Sequence, residues 1–148
     1  MPIPDLDEDG FLPEGLHACS MDEIRERFGT FQGSDRRQAL YKRLDEYVRE
    51  AWSTGLLESV IVNGSFTTAK EDPNDIDLVL VLRADHDFSF QLRPFEYNVL
   101  SRRQVRKRFQ FDILVARRDS VEYDEYVEFF QQVRGLPYRR KGVLKVSG

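Results

Sequence analysis

The chain has 148 residues and a formal net charge of −4, with 41% apolar and 32% charged residues; this is the balance of a globular domain and excludes a disordered chain. That length predicts one domain over 1–148, able to bury a core without staples, and the longest apolar run is too short to cross a bilayer. Cys19 is the only cysteine, so no internal disulfide forms, and with only His17 and His86 a transition-metal cage is hard to build; carboxylate oxygens remain, which suit magnesium or manganese.

The first stretch, MPIPDLDEDG, is acidic and lacks a basic segment followed by an apolar one. Residues 1–12 are therefore read as a flexible acidic lead rather than a secretory signal, and the expected address is cytoplasmic. SMDEIRERFG predicts a short helix with Ser20 as N-cap, Glu23 closing a capping box and Gly29 as stop. SDRRQALYKRLDEYVREAWSTG predicts a longer helix, capped by Ser34 and ended by Gly55. Its Leu40, Tyr41, Leu44, Tyr47, Val48, Ala51 and Trp52 share one face and read as core.

LESVIVNG then reads as a strand, and DIDLVLVLR as a second one, apolar enough to be buried on both faces. Between them lies a polar loop in which Pro73 and Asn74 favour a turn. RPFEYNVLSRRQVRKR predicts a helix opened by Pro94. FQFDILVA is a third strand, rich in aromatic and β-branched residues. SVEYDEYVEFFQQVRG returns to helical spacing through Tyr123, Tyr126, Val127, Phe130 and Val133, with Gly135 as terminator. KGVLKV is a final short strand. This order implies an α/β (α+β) domain, a small mixed β-sheet flanked by helices.

Charge is unevenly spread. Asp5, Asp7, Glu8 and Asp9 crowd the lead, whereas Arg102, Arg103, Arg106, Lys107 and Arg108 crowd one segment, followed by Arg117 and Arg118 and then by Arg139, Arg140 and Lys141. Each cluster alone reads as a solvated helix face or strand end.

The chemistry concentrates in NGSFTTAKEDPNDIDLVLVL. Alternation along a strand turns Asp75 and Asp77 to one face and Ile76 to the other, with the acidic Cα atoms roughly 6–7 Å apart. Both carboxylates then reach one divalent cation, whose charge offsets their repulsion. Asp112 is a lone acid inside FQFDILVA and joins them if its strand pairs with theirs. Gly64 at the preceding strand end admits close backbone approach by a ligand. If a helical turn follows, its amides and the Ser65 hydroxyl are placed for phosphate oxygens.

Gly64-Ser65, nine intervening residues, Asp75-Ile76-Asp77 and the later Asp112 resemble the signature of the nucleotidyltransferase superfamily that shares the DNA polymerase β palm. LPEGLHACSMDEIRERFG, NGSFTTAKEDPNDIDL and EFFQQVRGLPYRRKGVLKV together resemble a compact bacterial and phage family of uncharacterised nucleotidyltransferase-like proteins. The resemblance implies a minimal nucleotidyltransferase fold. It makes Gly64 and Ser65 the triphosphate turn, Asp75 and Asp77 the ligands of Mg2+ or Mn2+, and Asp112 the third catalytic and metal-binding acid. Lys70, Arg102, Arg103 and Arg106 become phosphate contacts. The implied substrate is a nucleoside triphosphate such as ATP, and the acceptor a protein or RNA hydroxyl.

Small relatives of this fold occur in toxin–antitoxin and phage-defence modules, and the short stretch after Asp112 leaves room for a partner protein to complete the site. The alternative reading is a non-catalytic, nucleotide- or partner-binding regulatory module of the same fold. A nucleic-acid binder using Arg102–Arg108 is disfavoured by the acidic net charge.

Overall fold

The computed structural model describes residues 3–30, 35–71, 73–87 and 91–147. The elements in chain order are β1 (Gly15–Cys19), α1 (Met21–Ile24, running into a π-helical segment Arg25–Gly29), α2 (Asp35–Ser53) and β2 (Leu57–Asn63). After a 3-10 turn, Ser65–Thr67, come β3 (Asp77–Leu82), α3 (Pro94–Leu100), α4 (Arg102–Phe109), β4 (Asp112–Arg117) and α5 (Val121–Phe130). The chain ends in β5 (Gln132–Val133), β6 (Leu136–Arg140) and β7 (Gly142–Ser147). The main sheet is mixed, in the order β1-β7-β2-β3-β4, and β5 and β6 form a separate hairpin. This is the α/β architecture expected. No helix among the described residues is long and apolar enough to cross a membrane.

Alternation along the strands divides the core. Val60, Val62, Leu78, Leu80 and Leu82 pack with Leu44, Tyr47, Val48, Ala51, Val99, Val105 and Phe109 of the helices on one face. Ile61, Val79, Val81, Ala116 and Val143 pack with Phe130, Tyr123 and Tyr126 on the other, under α5. Burial on both faces makes β2 and β3 rigid central strands.

Local signals explain most boundaries. Ser20 and Glu23 form the reciprocal capping box at α1. Gly55 turns the chain after α2 with φ +73°; Ser34, expected to cap that helix, lies outside the described residues.

Three expectations need correction. The helix read across RPFEYNVLSRRQVRKR is two, because Ser101 takes an extended conformation and its hydroxyl accepts from the Gln104 amide as a new N-cap. The last predicted helix stops at Phe130, so Val133 belongs to β5 and Gly135, at φ +79°, turns the hairpin rather than capping the helix. Residues 3–12, read as a flexible lead, are packed onto the body. Ile3 and Leu12 are core, Arg27 donates to the Ile3 and Pro4 carbonyls at 2.7 and 3.0 Å, and Asp7 pairs with Arg139.

Candidate active site

Strand register brings the acids together. Asn63 pairs with Asp77 across β2/β3, and Asp77 pairs with Asp112 across β3/β4. Asn63 shares the side of Ile61, Asp77 that of Val79 and Asp112 that of Leu114, so the three form one row across the sheet on the α5 face. Ile76 is buried in the opposite core layer, as the alternation predicts. Asp75 lies just ahead of β3 rather than in it. It remains beside Asp77, near enough for its charge to raise the Asp77 carboxyl. Asp75, Asp77 and Asp112 line one cleft of about 1450 Å³ with Asn63, Gly64, Ser65, Lys70, Arg102, Arg106 and Lys141. Phe11, Phe129, Phe130, Val133 and Pro137 close its apolar side. A smaller cleft of about 590 Å³ lies at the far end of β3, where Glu58–Arg118 and Arg83–Asp85 ion pairs balance its charge.

The Gly64-Ser65 turn does open a single 3-10 turn, with Gly64 at φ +103°. The reason for glycine differs from the one expected. A Cβ there would sit 2.6 Å from the Asp75 carbonyl oxygen and 3.0 Å from Ile76 Cα, so the room serves the chain's own backbone rather than a ligand. That close approach brings Asp75 onto the turn. The Ser65 hydroxyl donates to Asp75 Oδ1 and accepts from the Asn74 and Asp75 amides at 3.1 and 3.3 Å. The Ser65 amide donates to the same carboxylate at 3.2 Å. The donors that the resemblance assigns to phosphate thus hold an anion here, the chain's own carboxylate.

Behind the turn lies Arg37, fully buried on the core face of α2. Its guanidinium donates to the carbonyls of Phe28, Phe66, Thr68 and Lys70 at 3.3, 2.7, 2.6 and 2.7 Å, pinning the loop from inside. An arginine in a charged stretch such as SDRRQ reads as solvated. Only its i, i+3 spacing to Leu40 hinted otherwise.

Electrostatics set the acids apart. Burial first, then the neighbouring Asp75 and Asp112 charges, push the Asp77 carboxyl up from 3.8 to about 6, with Lys141 acting in the opposite sense. Asp112 is more exposed and ion-paired with Arg106. Among the described residues no three His, Cys, Asp or Glu side chains meet as a ready metal-holding group. Asp112 turns to Arg106 and Asp75 to Ser65, so the three-acid convergence expected from the sequence is met in register and cleft but not in side-chain placement. The donors are nonetheless hard oxygens, and the adjacent Asp75 and Asp77 suit magnesium or manganese.

Of the expected phosphate contacts, Lys70, Arg102 and Arg106 line the cleft; Arg103 is exposed and does not. Lys141, read as part of a terminal basic cluster, is half-buried in the cleft wall. Desolvation lowers its ammonium and the charges of Asp75 and Asp77 oppose that shift. It forms no ion pair within 4 Å among the described residues. Its placement follows from β7 entering the sheet between β1 and β2, a non-local pairing that no local pattern announces.

No curated protein and no solved structure matches the chain. Residues 4–147 match the family of unknown function DUF6932, and the chain belongs to that family.

Proposed function

We propose that this chain is a divalent-metal-dependent nucleotidyltransferase that moves a nucleoside monophosphate from a nucleoside triphosphate to an acceptor hydroxyl on a protein or an RNA. The observation that carries this reading is the meeting of Asp75, Asp77 and Asp112 with the Gly64-Ser65 turn in one cleft. The motif resemblance to the superfamily with the polymerase β palm supports it. Magnesium or manganese held by Asp75 and Asp77 would stabilise charge on the reacting phosphoryl oxygens.

The chain's own groups do the rest. The Ser65 amide and hydroxyl, occupied here by Asp75, are donors for phosphate oxygens, and Lys141, Lys70 and Arg102 supply positive charge along the phosphate chain. The acceptor oxygen bonds to the α-phosphorus, the bond from that phosphorus to the α,β-bridging oxygen breaks, and pyrophosphate leaves. The acceptor proton passes to the Asp112 carboxylate at the open end of the row. A cytoplasmic setting fits the supply of nucleotide and magnesium, and a toxin–antitoxin or phage-defence role follows from the resemblance alone.

The test incubates the protein with each α-labelled nucleoside triphosphate, Mg2+ or Mn2+, and protein or RNA acceptors, beside an Asp75→Asn/Asp77→Asn variant. Label transfer with pyrophosphate release, lost in the variant, is the expected result. Absence of both from the wild type with every acceptor refutes the enzyme reading for those acceptors. The Arg106–Asp112 ion pair favours a second reading, a non-catalytic module that binds nucleotide or a partner through the same cleft. It predicts nucleotide binding with no transfer.

A further inference from the structure

Asn63 occupies a position in the cleft that the acid motif does not explain. It is only 6% exposed, at the end of β2. Its Nδ2 donates to the Phe130 carbonyl at 3.1 Å, which fixes the amide and leaves Oδ1 buried without a partner among the described residues. A buried amide oxygen is ordinarily hydrogen-bonded, so an orphan lining a cleft marks a place for something that binds there. Two classes of partner satisfy an oxygen acceptor, a cation and a hydrogen-bond donor.

The surroundings favour the cation. Asn63 is the register partner of Asp77, which is the register partner of Asp112, and all three side chains rise from the same sheet face. Neighbouring strands lie about 4.8 Å apart, so adjacent oxygen-bearing side chains in such a row can turn toward a common point. Hard divalent cations accept asparagine carbonyl oxygens alongside carboxylates. An extra neutral oxygen also adds a ligand without adding to the repulsion between Asp75, Asp77 and Asp112.

We propose that Asn63 Oδ1 is a ligand of the divalent cation in this cleft, acting beside Asp75 and Asp77. This inference rests on the metal-dependent reading given above. It enlarges the metal-binding motif by one residue, the asparagine immediately before Gly64, and makes the end of β2 a part of the metal site as well as of the turn.

Manganese titrations without nucleotide, read by the EPR signal of free Mn2+, test it on the wild type, Asn63→Leu, Asn63→Asp and Asp77→Asn. Melting curves in EDTA establish that each variant is folded. The expected result is at least tenfold weaker Mn2+ binding for Asn63→Leu, several-fold tighter binding for Asn63→Asp, and loss for Asp77→Asn. Should Asn63→Leu fail to fold, Asn63→Asp carries the test, and Mn2+ affinity equal to wild type overturns the inference.

Wild-type Mn2+ affinity in a folded Asn63→Leu, with Asp77→Asn defective, also overturns the inference and leaves the acid site standing. Unchanged Mn2+ affinity with weakened nucleotide binding in Asn63→Leu assigns the oxygen to a ligand hydroxyl and overturns it as well. No Mn2+ binding by the wild type removes the metal-dependent reading and this inference together.

Discussion

Asp77→Asn should stabilise the metal-free protein near neutral pH while removing its response to metal. The wild-type carboxyl is raised from 3.8 to about 6, chiefly by burial and then by Asp75 and Asp112, against the opposing Lys141. An acid raised on folding binds more protons in the native than in the unfolded chain between those values, so stability falls as pH climbs from about 4 to 6. Above that window the full penalty remains. The shift alone corresponds to at most about 3 kcal/mol. Asp77 is only partly buried, and solvent screening reduces this to about 1 kcal/mol, a melting shift of about 3 °C for a domain of this size.

The asparagine cannot ionise, so urea or thermal unfolding in EDTA should show the variant more stable than wild type at pH 7.5 and equal to it at pH 4. Added Mn2+ should raise the wild-type melting temperature and leave the variant's unchanged. A stability difference of the same size at both pH values, or a variant less stable at pH 7.5, refutes the account of Asp77 as a strained carboxylate.

The remaining expectations concern the turn and its surroundings. Gly64→Ala adds a Cβ at 2.6 Å from the Asp75 carbonyl at a residue with φ +103°. It should cost roughly 3 kcal/mol from clash and backbone strain combined, read as a lowered urea midpoint; an unchanged midpoint contradicts the close approach. Arg37→Met leaves the carbonyls of Phe66, Thr68 and Lys70 without their donor and should cost on the order of 3 kcal/mol or more. Arg37→Lys should rescue little, since an ammonium does not reproduce the planar fork; full stability in the lysine variant would argue against that geometry. Lys141→Met should tighten Mn2+ binding several-fold by removing a competing cation and weaken pyrophosphate binding about tenfold, both measurable by calorimetry. Lys141→Arg should stay near wild type, and loss of both effects in Lys141→Met would remove the ammonium from the site.

What could be read from the residues followed from local physics. The buried central strands announce themselves as apolar runs, α1 by its capping box, and the same-face relation of Asp75 and Asp77 by alternation; Asp112 needed only the parallel pairing that the structure supplies. The misses are of another kind. β1 and the β5–β6 hairpin are short, and GLHAC and LPYRR carry no strong alternation of their own; they form because β7 and each other give them partners. Arg37, Asn63 and Lys141 matter chiefly through groups distant in sequence: the Phe66 carbonyl is 29 residues from Arg37, the Phe130 carbonyl 67 from Asn63, and Lys141 feels the charges of Asp75 and Asp77. A charged or polar residue in a polar-looking context gives no local sign that the fold will bury it.

The placement of the site follows from where the apolar core ends. Three successive rows across β2, β3 and β4 are apolar, Val60–Leu80–Val115, Ile61–Val79–Leu114 and Val62–Leu78–Ile113, and the next, Asn63–Asp77–Asp112, is polar. Central strands buried on both faces hold the start of that row rigidly, while its far member stands open beside Arg106 and the cleft. Burial thus falls across the row from Asn63 through Asp77 to Asp112: a neutral amide innermost, a carboxyl raised chiefly by desolvation in the middle, and an exposed acid paired with Arg106 outermost. A cation drawn to the two carboxylates would be held on the buried side, leaving Asp112 exposed to an incoming acceptor. On the proposed function, that gradient would give three oxygen-bearing residues different tasks from a single geometric rule, the register of adjacent strands.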